Sequence, residues 1–224
     1  MVKSETVLSR EEILRRTEAF IREQLDGDSS GHDWWHIARV RVAAMSIGQA
    51  EQVDLYIVEL AALLHDVADW KFHGGDDMAG PKAARAWLES LSVEGETIDH
   101  VCEIIATISY KGAQVATPMR TLEGRVVQDA DRLDAIGAVG IARTFAYGGH
   151  AGQAMHDPTL AAEAHATFAD YKSKRTSTIN HFYEKLLLLK DRMNTAAGRR
   201  LAEERHAFME TFLRQFDDEW NGRS

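Results

Sequence analysis

The chain has 224 residues, a formal net charge of −9 and a pI near 5.6, with 45% hydrophobic and 27% charged residues. A chain of this length buries enough apolar surface to fold without disulfides or a structural metal, and its acidity argues against a nucleic-acid-binding surface. No apolar run approaches the ~20 residues of a membrane span, and the N-terminal MVKSETVLSREE lacks the apolar segment of a secretory signal, so the expected compartment is the cytoplasm. The single cysteine, Cys102, lies in the apolar stretch 101–108 and is expected to be a buried thiol.

Only 3 prolines occur, and apolar positions recur with helical spacing, which predicts an all-α fold. One domain is expected, with a core over about 31–150 and C-terminal helices over about 159–220 packed on it. In chain order, Ser9 and Glu12 have the spacing of a capping box and open a helix that Gly27 ends. A second helix covers 33–50, with His36, Val40, Ala43 and Ile47 on one stripe. A third covers 54–69, with Leu60, Leu63, Leu64 and Val67 on its apolar face. After a glycine-containing loop, Pro81 suits the first turn of a helix reaching 91. Further helices are expected over 96–110, 125–147, 159–170, 177–194 and 196–220, with Gly148 and Gly149 ending the 125–147 helix. Gly112, Pro118 and Gly124 mark 111–124 as a loop. The segment 171–175 is a local basic cluster.

The chemically informative feature is His65-Asp66 inside the apolar sequence LAALLHDVADW. Desolvating two adjacent polar groups is costly unless each finds a partner. A metal ion could take one bond from each, and imidazole with carboxylate suits Mn, Fe, Co, Ni, Zn or, less well, Mg. His36 lies on the apolar stripe of the second helix, and Asp131 lies in the core-like sequence VVQDADRLDAIGAVGIA. Singly, each has an ordinary structural explanation: His36 as a hydrogen-bonded core histidine, Asp131 as a helix-face acid or a buried salt-bridge partner, and a lone His-Asp pair is of low specificity. Together, two histidines and two aspartates make a mononuclear site with open positions, the mark of a catalytic rather than a structural metal.

The segments HDWWHIARV, LLHDVADWKF, ISYKG, VVQDADRLDAIGAVGIARTF and STINHFYEKL resemble the HD superfamily of metal-dependent phosphohydrolases, in particular a bacterial branch that includes nucleotide pyrophosphohydrolases. The resemblance implies a compact multi-helix bundle with one divalent cation, Mn²⁺ favoured, on His36, His65, Asp66 and Asp131. It implies a phosphorylated small-molecule substrate, a nucleotide, with pyrophosphate release from nucleoside triphosphates favoured. It places an acid that acts on the attacking water three residues after the pair, at Asp69, where glutamate is commoner. Lys71 and Lys111 are the candidates to neutralise phosphate charge, followed by Arg132, His181 and Lys185 as substrate contacts. No nucleic acid or membrane partner is expected; a homodimer is compatible with the sequence. Two alternatives stand beside this reading. One is a di-iron oxygenase of the same fold, which would need His73 and His100. The other is a nucleotide sensor that binds without turnover.

Overall fold

The computed structural model describes residues 8–25, 33–68, 78–108, 117–162 and 176–223. Among these the chain is helical with no strand, as the spacing predicts. No helix among them is long and apolar enough to cross a membrane. The chain divides into two compact units: residues 1–109 with 119–127, and residues 110–118 with 128–224.

The first unit contains α1 (Arg10–Gln24), α2 (Trp34–Glu51), α3 (Leu55–Leu64), α4 (Ala79–Ser90), α5 (Gly95–Thr107) and the start of α6 (Leu122–Asp134). Each of the first three helices opens on a predictable side-chain cap. Ser9 accepts from the Glu12 N–H at 3.2 Å, Asp33 from the His36 N–H at 2.9 Å and Asp54 from the Tyr56 N–H at 2.9 Å. The Ser9 half of the capping box forms, whereas the Glu12 carboxylate turns to Arg15 and Arg16 at 2.7–2.8 Å. Helix α1 stops at Gln24, before the expected glycine, with Leu25 as its C-cap.

Arg41 of α2 ties three helices together, donating to Glu18 of α1 at 2.8 Å and through Nε to Glu59 of α3 at 2.8 Å. Burial pulls this guanidinium down, but the hydrogen bonds and charges of Glu59 and Glu18 outweigh it and leave the group above its ordinary pKa. On the other side of α1, Trp87 of α4 stacks on Phe20 with 4.0 Å between centroids and donates to Thr17 at 3.0 Å. The core of this unit is Ile37, Val40, Ala44 and Ile47 of α2 against Val58 and Leu60–Leu64 of α3, each at most 1% exposed. Cys102 is buried as expected, with its thiol against the Pro81 carbonyl at 3.4 Å; burial pushes its pKa up.

The third helix is shorter than its apolar pattern suggests. It ends at Leu64, and His65 to Ala68 form turns, with the Val67 N–H bonded to the Leu64 carbonyl at 3.1 Å. The polar pair therefore sits at the helix end, where one turn of irregular backbone frees both side chains from the 100° spacing of a regular helix.

The second unit holds the rest of α6, then α7 (Gly137–His150), α8 (Thr178–Glu184), two 3₁₀ turns (Leu186–Leu188 and Lys190–Arg192) and α9 (Ala196–Trp220). The single helix expected over 125–147 is two. It starts earlier, at Leu122, and breaks after Asp134, where Gly137 takes φ of +76° and lies so close to Arg205 that a Cβ would meet its Cγ at 2.9 Å. Gly148 and Gly149 lie inside α7, whose backbone continues to His150, and at Gly148 a Cβ would meet the Thr178 hydroxyl. Residues 159–162 are not helical, and the rest of the helix expected over 159–170 lies outside the described residues, as does the basic cluster. The helix expected over 177–194 is α8 followed by 3₁₀ turns. A string of aromatic rings, Phe145, Phe182, Phe212 and Phe216, fills the space between α7, α8 and α9.

Candidate metal centre

His36 occupies the first turn of α2, held there by the Asp33 cap, and is 2% exposed. His65 is the C-cap residue of α3 and is 6% exposed. Its Nδ1 lies 2.8 Å from the Ala62 carbonyl oxygen, one turn back. A carbonyl can only accept, so Nδ1 carries a proton, and in the neutral ring Nε2 presents a lone pair. That lone pair faces the ring of His36: the two Nε2 atoms are 3.2 Å apart, with the rings edge-on at 66°. Asp66 Oδ2 completes the group, 3.5 Å from His36 Nε2 and 3.7 Å from His65 Nε2.

These spacings test whether a metal fits. Donors each ~2.1 Å from one ion lie ~3.0 Å apart at a right angle and ~3.4 Å apart at the tetrahedral angle. Separations of 3.2, 3.5 and 3.7 Å are those of adjacent ligands relaxed by a few tenths of an ångström. The chemistry agrees: two imidazoles, one of them oriented by a backbone carbonyl, and a carboxylate form a borderline donor set for Mn, Fe, Co, Ni or Zn. The Ala62 carbonyl was not among the sequence candidates. A histidine three residues after an apolar residue near a helix end is the signal that could have suggested it.

Asp131 lies in the second unit, half-buried on α6. Its neighbour Asp129, fully buried, carries an equal sequence signal and was not singled out. Asp129 accepts from the Asn194 N–H at 2.8 Å, the Asn194 side-chain amide at 2.8 Å, and the Thr195 N–H and hydroxyl, both at 2.8 Å. Arg132 is 6% exposed. It donates to the Arg192 carbonyl and, at 2.8 Å, to the Thr117 hydroxyl. Asp134 accepts from Arg143 at 2.6 Å. His181 lies on α8, and Lys185 is the C-cap residue of that helix, its N–H bonded to the His181 carbonyl at 3.1 Å. Asp69, Lys71, Lys111 and His73 lie outside the described residues. His100, on α5, has its Nε2 3.7 Å from Glu123 Oε2.

The HD domain family matches residues 34–136, a span that runs from the start of α2 past Asp131. YpgQ of Bacillus subtilis is 41% identical over 206 residues, which is 91% of either chain. The chain belongs to the HD superfamily. A crystal structure of an HD-superfamily hydrolase from Bacillus thuringiensis is 47% identical, with a TM-score of 0.75 over 95% of this chain and 99% of that one. YpgQ in complex with ADP is 38% identical, with a TM-score of 0.74 over 94% of this chain and 100% of that one. HD domains bind divalent metals, and this chain has a histidine-aspartate group that could hold one.

Proposed function

We propose that this protein hydrolyses a phosphoanhydride bond of a nucleotide, releasing pyrophosphate from nucleoside triphosphates. His36, His65, Asp66 and Asp131 would hold one divalent cation, Mn²⁺ first among the candidates. The observation that carries this reading is the Ala62 carbonyl on His65 Nδ1, which aims a lone pair at the point where His36 and Asp66 converge. The ADP complex of YpgQ supports a nucleotide as the ligand class.

When bound, the cation supplies Lewis acidity toward a phosphoryl oxygen and lowers the pKa of a coordinated water. The remaining chemistry belongs to the chain. Asp66 and Asp131 would neutralise the cation's charge, leaving the site free to take an anionic substrate only with help from basic side chains. Lys71 and Lys111 would supply that help by pairing with phosphate oxygens, and Arg132, His181 and Lys185 would complete the substrate contacts. Asp69, three residues after Asp66, would accept the proton of the attacking water.

The test is a panel of nucleotides against Mn²⁺, Co²⁺, Ni²⁺, Zn²⁺ and Mg²⁺ with the products identified. Pyrophosphate and a monophosphate are expected from a triphosphate, with the activity lost in Asp66→Ala. Undiminished turnover by metal-stripped Asp66→Ala protein would refute the mechanism. Substrate-dependent oxygen uptake with two irons per chain would replace it with the oxygenase, and tight nucleotide binding without turnover under every metal with the sensor.

A further inference from the structure

Three positions of α6, Gln128, Asp129 and Arg132, are fastened from one side within the second unit. Gln128 donates to the Thr117 carbonyl at 3.1 Å and accepts from the Asn194 amide at 3.0 Å. Asp129 takes the N–H groups and side chains of Asn194 and Thr195. Arg132 reaches the Arg192 carbonyl and the Thr117 hydroxyl.

Asp129 is the centre of this clamp. Thr195 is the N-cap of α9: its hydroxyl donates to Asp129 at 2.8 Å and accepts from the Gly198 N–H at 2.9 Å. Gly198 leaves the room, because a Cβ there would meet Asp129 Oδ2 at 2.4 Å. A negative charge beside the first turn of a 25-residue helix is also favoured by the helix dipole.

At roughly 100° per residue, Gln128, Asp129 and Arg132 span about 100° of the helix surface, and Asp131 projects roughly 200° from Asp129. We infer that Asp129 is the positioning residue for Asp131: it fixes the rotation of α6 about its own axis and so the direction in which the Asp131 carboxylate points. This rests on the reading of Asp131 as a ligand. The leverage is large. A carboxylate oxygen ~6 Å from the helix axis moves ~1 Å for a 10° rotation, whereas metal–ligand distances tolerate about 0.2 Å.

The full chain as wild type, Asp129→Asn, Asn194→Ala and Asp131→Ala is titrated with Mn²⁺ by calorimetry, and each metal-free protein is melted by circular dichroism. Asp129→Asn turns an amide toward groups that are all donors. It is expected to bind Mn²⁺ about 10–100-fold more weakly while folded, in line with the loss on removing a residue that orients a ligand. Asn194→Ala keeps the carboxylate and removes one grip on it, and is expected to bind about 3–10-fold more weakly than wild type. Asp131→Ala is expected to bind more weakly than either. A purely structural Asp129 would lower the melting temperature and leave the affinity of the folded protein alone. Mn²⁺ affinity of Asp129→Asn, or of Asn194→Ala should the first not fold, within about twofold of wild type while Asp131→Ala has lost binding overturns the positioning role only. Wild-type affinity in Asp131→Ala overturns the ligand reading, and the positioning role with it.

Discussion

In the first unit Asp66 Oδ2 faces two imidazole nitrogens at 3.5 and 3.7 Å, one of them with its lone pair fixed outward by Ala62. In the second unit Asp129 faces Asn194 and Thr195, which bring two backbone N–H groups, an amide and a hydroxyl. Both carboxylates leave water, and each must recover its solvation. The surroundings of Asp129 are donors, so the protein itself recovers it, and the result is a fastening between α6 and the start of α9. The surroundings of Asp66 bring in a further lone pair, from His65 Nε2. Lone pairs gathered at one point are stabilised by a cation, so under the proposed function the same residue type would be a ligand in one place, while it is a structural anchor in the other.

The largest way to break this comparison is to remove one carboxylate from each side. Asp129→Ala leaves buried donors unanswered and is expected to cost about 3–5 kcal/mol. For a chain of this size that lowers the melting temperature by roughly 6–20 °C, read by circular dichroism without metal. Asp66→Ala without metal is expected to melt closer to wild type than Asp129→Ala does, because Asp66 is part-exposed whereas Asp129 is fully buried. A loss of stability as large as that of Asp129→Ala would erase the distinction.

Added metal brings out the cost of losing Asp66. At about 100 times its dissociation constant, Mn²⁺ should stabilise wild type by ~2.7 kcal/mol and Asp66→Ala not at all, in the same melting experiment. A smaller effect tests the break between α6 and α7. Gly137→Ala forces a side chain into φ of +76° against Arg205 and is expected to cost about 1–2 kcal/mol, measured by urea unfolding.

The smallest expected effect is in pH. Hydrogen bonds to Arg15 and Arg16 hold the Glu12 carboxyl at about 2, below its ordinary 4.5. A lowered carboxylate pKa means that the unfolded chain binds the proton more tightly, so this contribution is complete above about 4.5 and fades as pH falls toward 2. Because the pair is exposed, replacing Glu12 with Gln should change the acid limb of the stability curve only slightly. By contrast, the buried Cys102 thiol, whose pKa burial raises, should react with thiol reagents far more slowly in native than in unfolded protein.

Much of this was legible in the residues. The caps Ser9, Asp33 and Asp54, the apolar stripes of α2 and α3, and the histidines and Asp66 were readable, because local propensity and an out-of-place polar residue are written in single positions. The break at Gly137 was not, since a glycine inside an apolar helical pattern is tolerated as often as it interrupts. Nor was the end of α3 at Leu64, as Val67 continues the helical period. Local pattern did not separate Asp129 from Asp131, two acids two positions apart in one apolar segment; the resemblance alone singled out Asp131.

By itself, then, the sequence determined the all-α class, the capped starts of the helices and the superfamily, because periodicity, capping and long motifs are local properties of the chain. Tertiary structure decided which nitrogen of His65 faces a backbone carbonyl, which groups satisfy the buried Asp129, and where one long helical pattern becomes two helices. Each depends on a group distant in the chain or on a backbone carbonyl: Ala62 for His65, Asn194 and Thr195 for Asp129, Arg205 for Gly137. Such partners leave no mark on the residues they select, because any carbonyl or N–H brought to the right place by packing would serve.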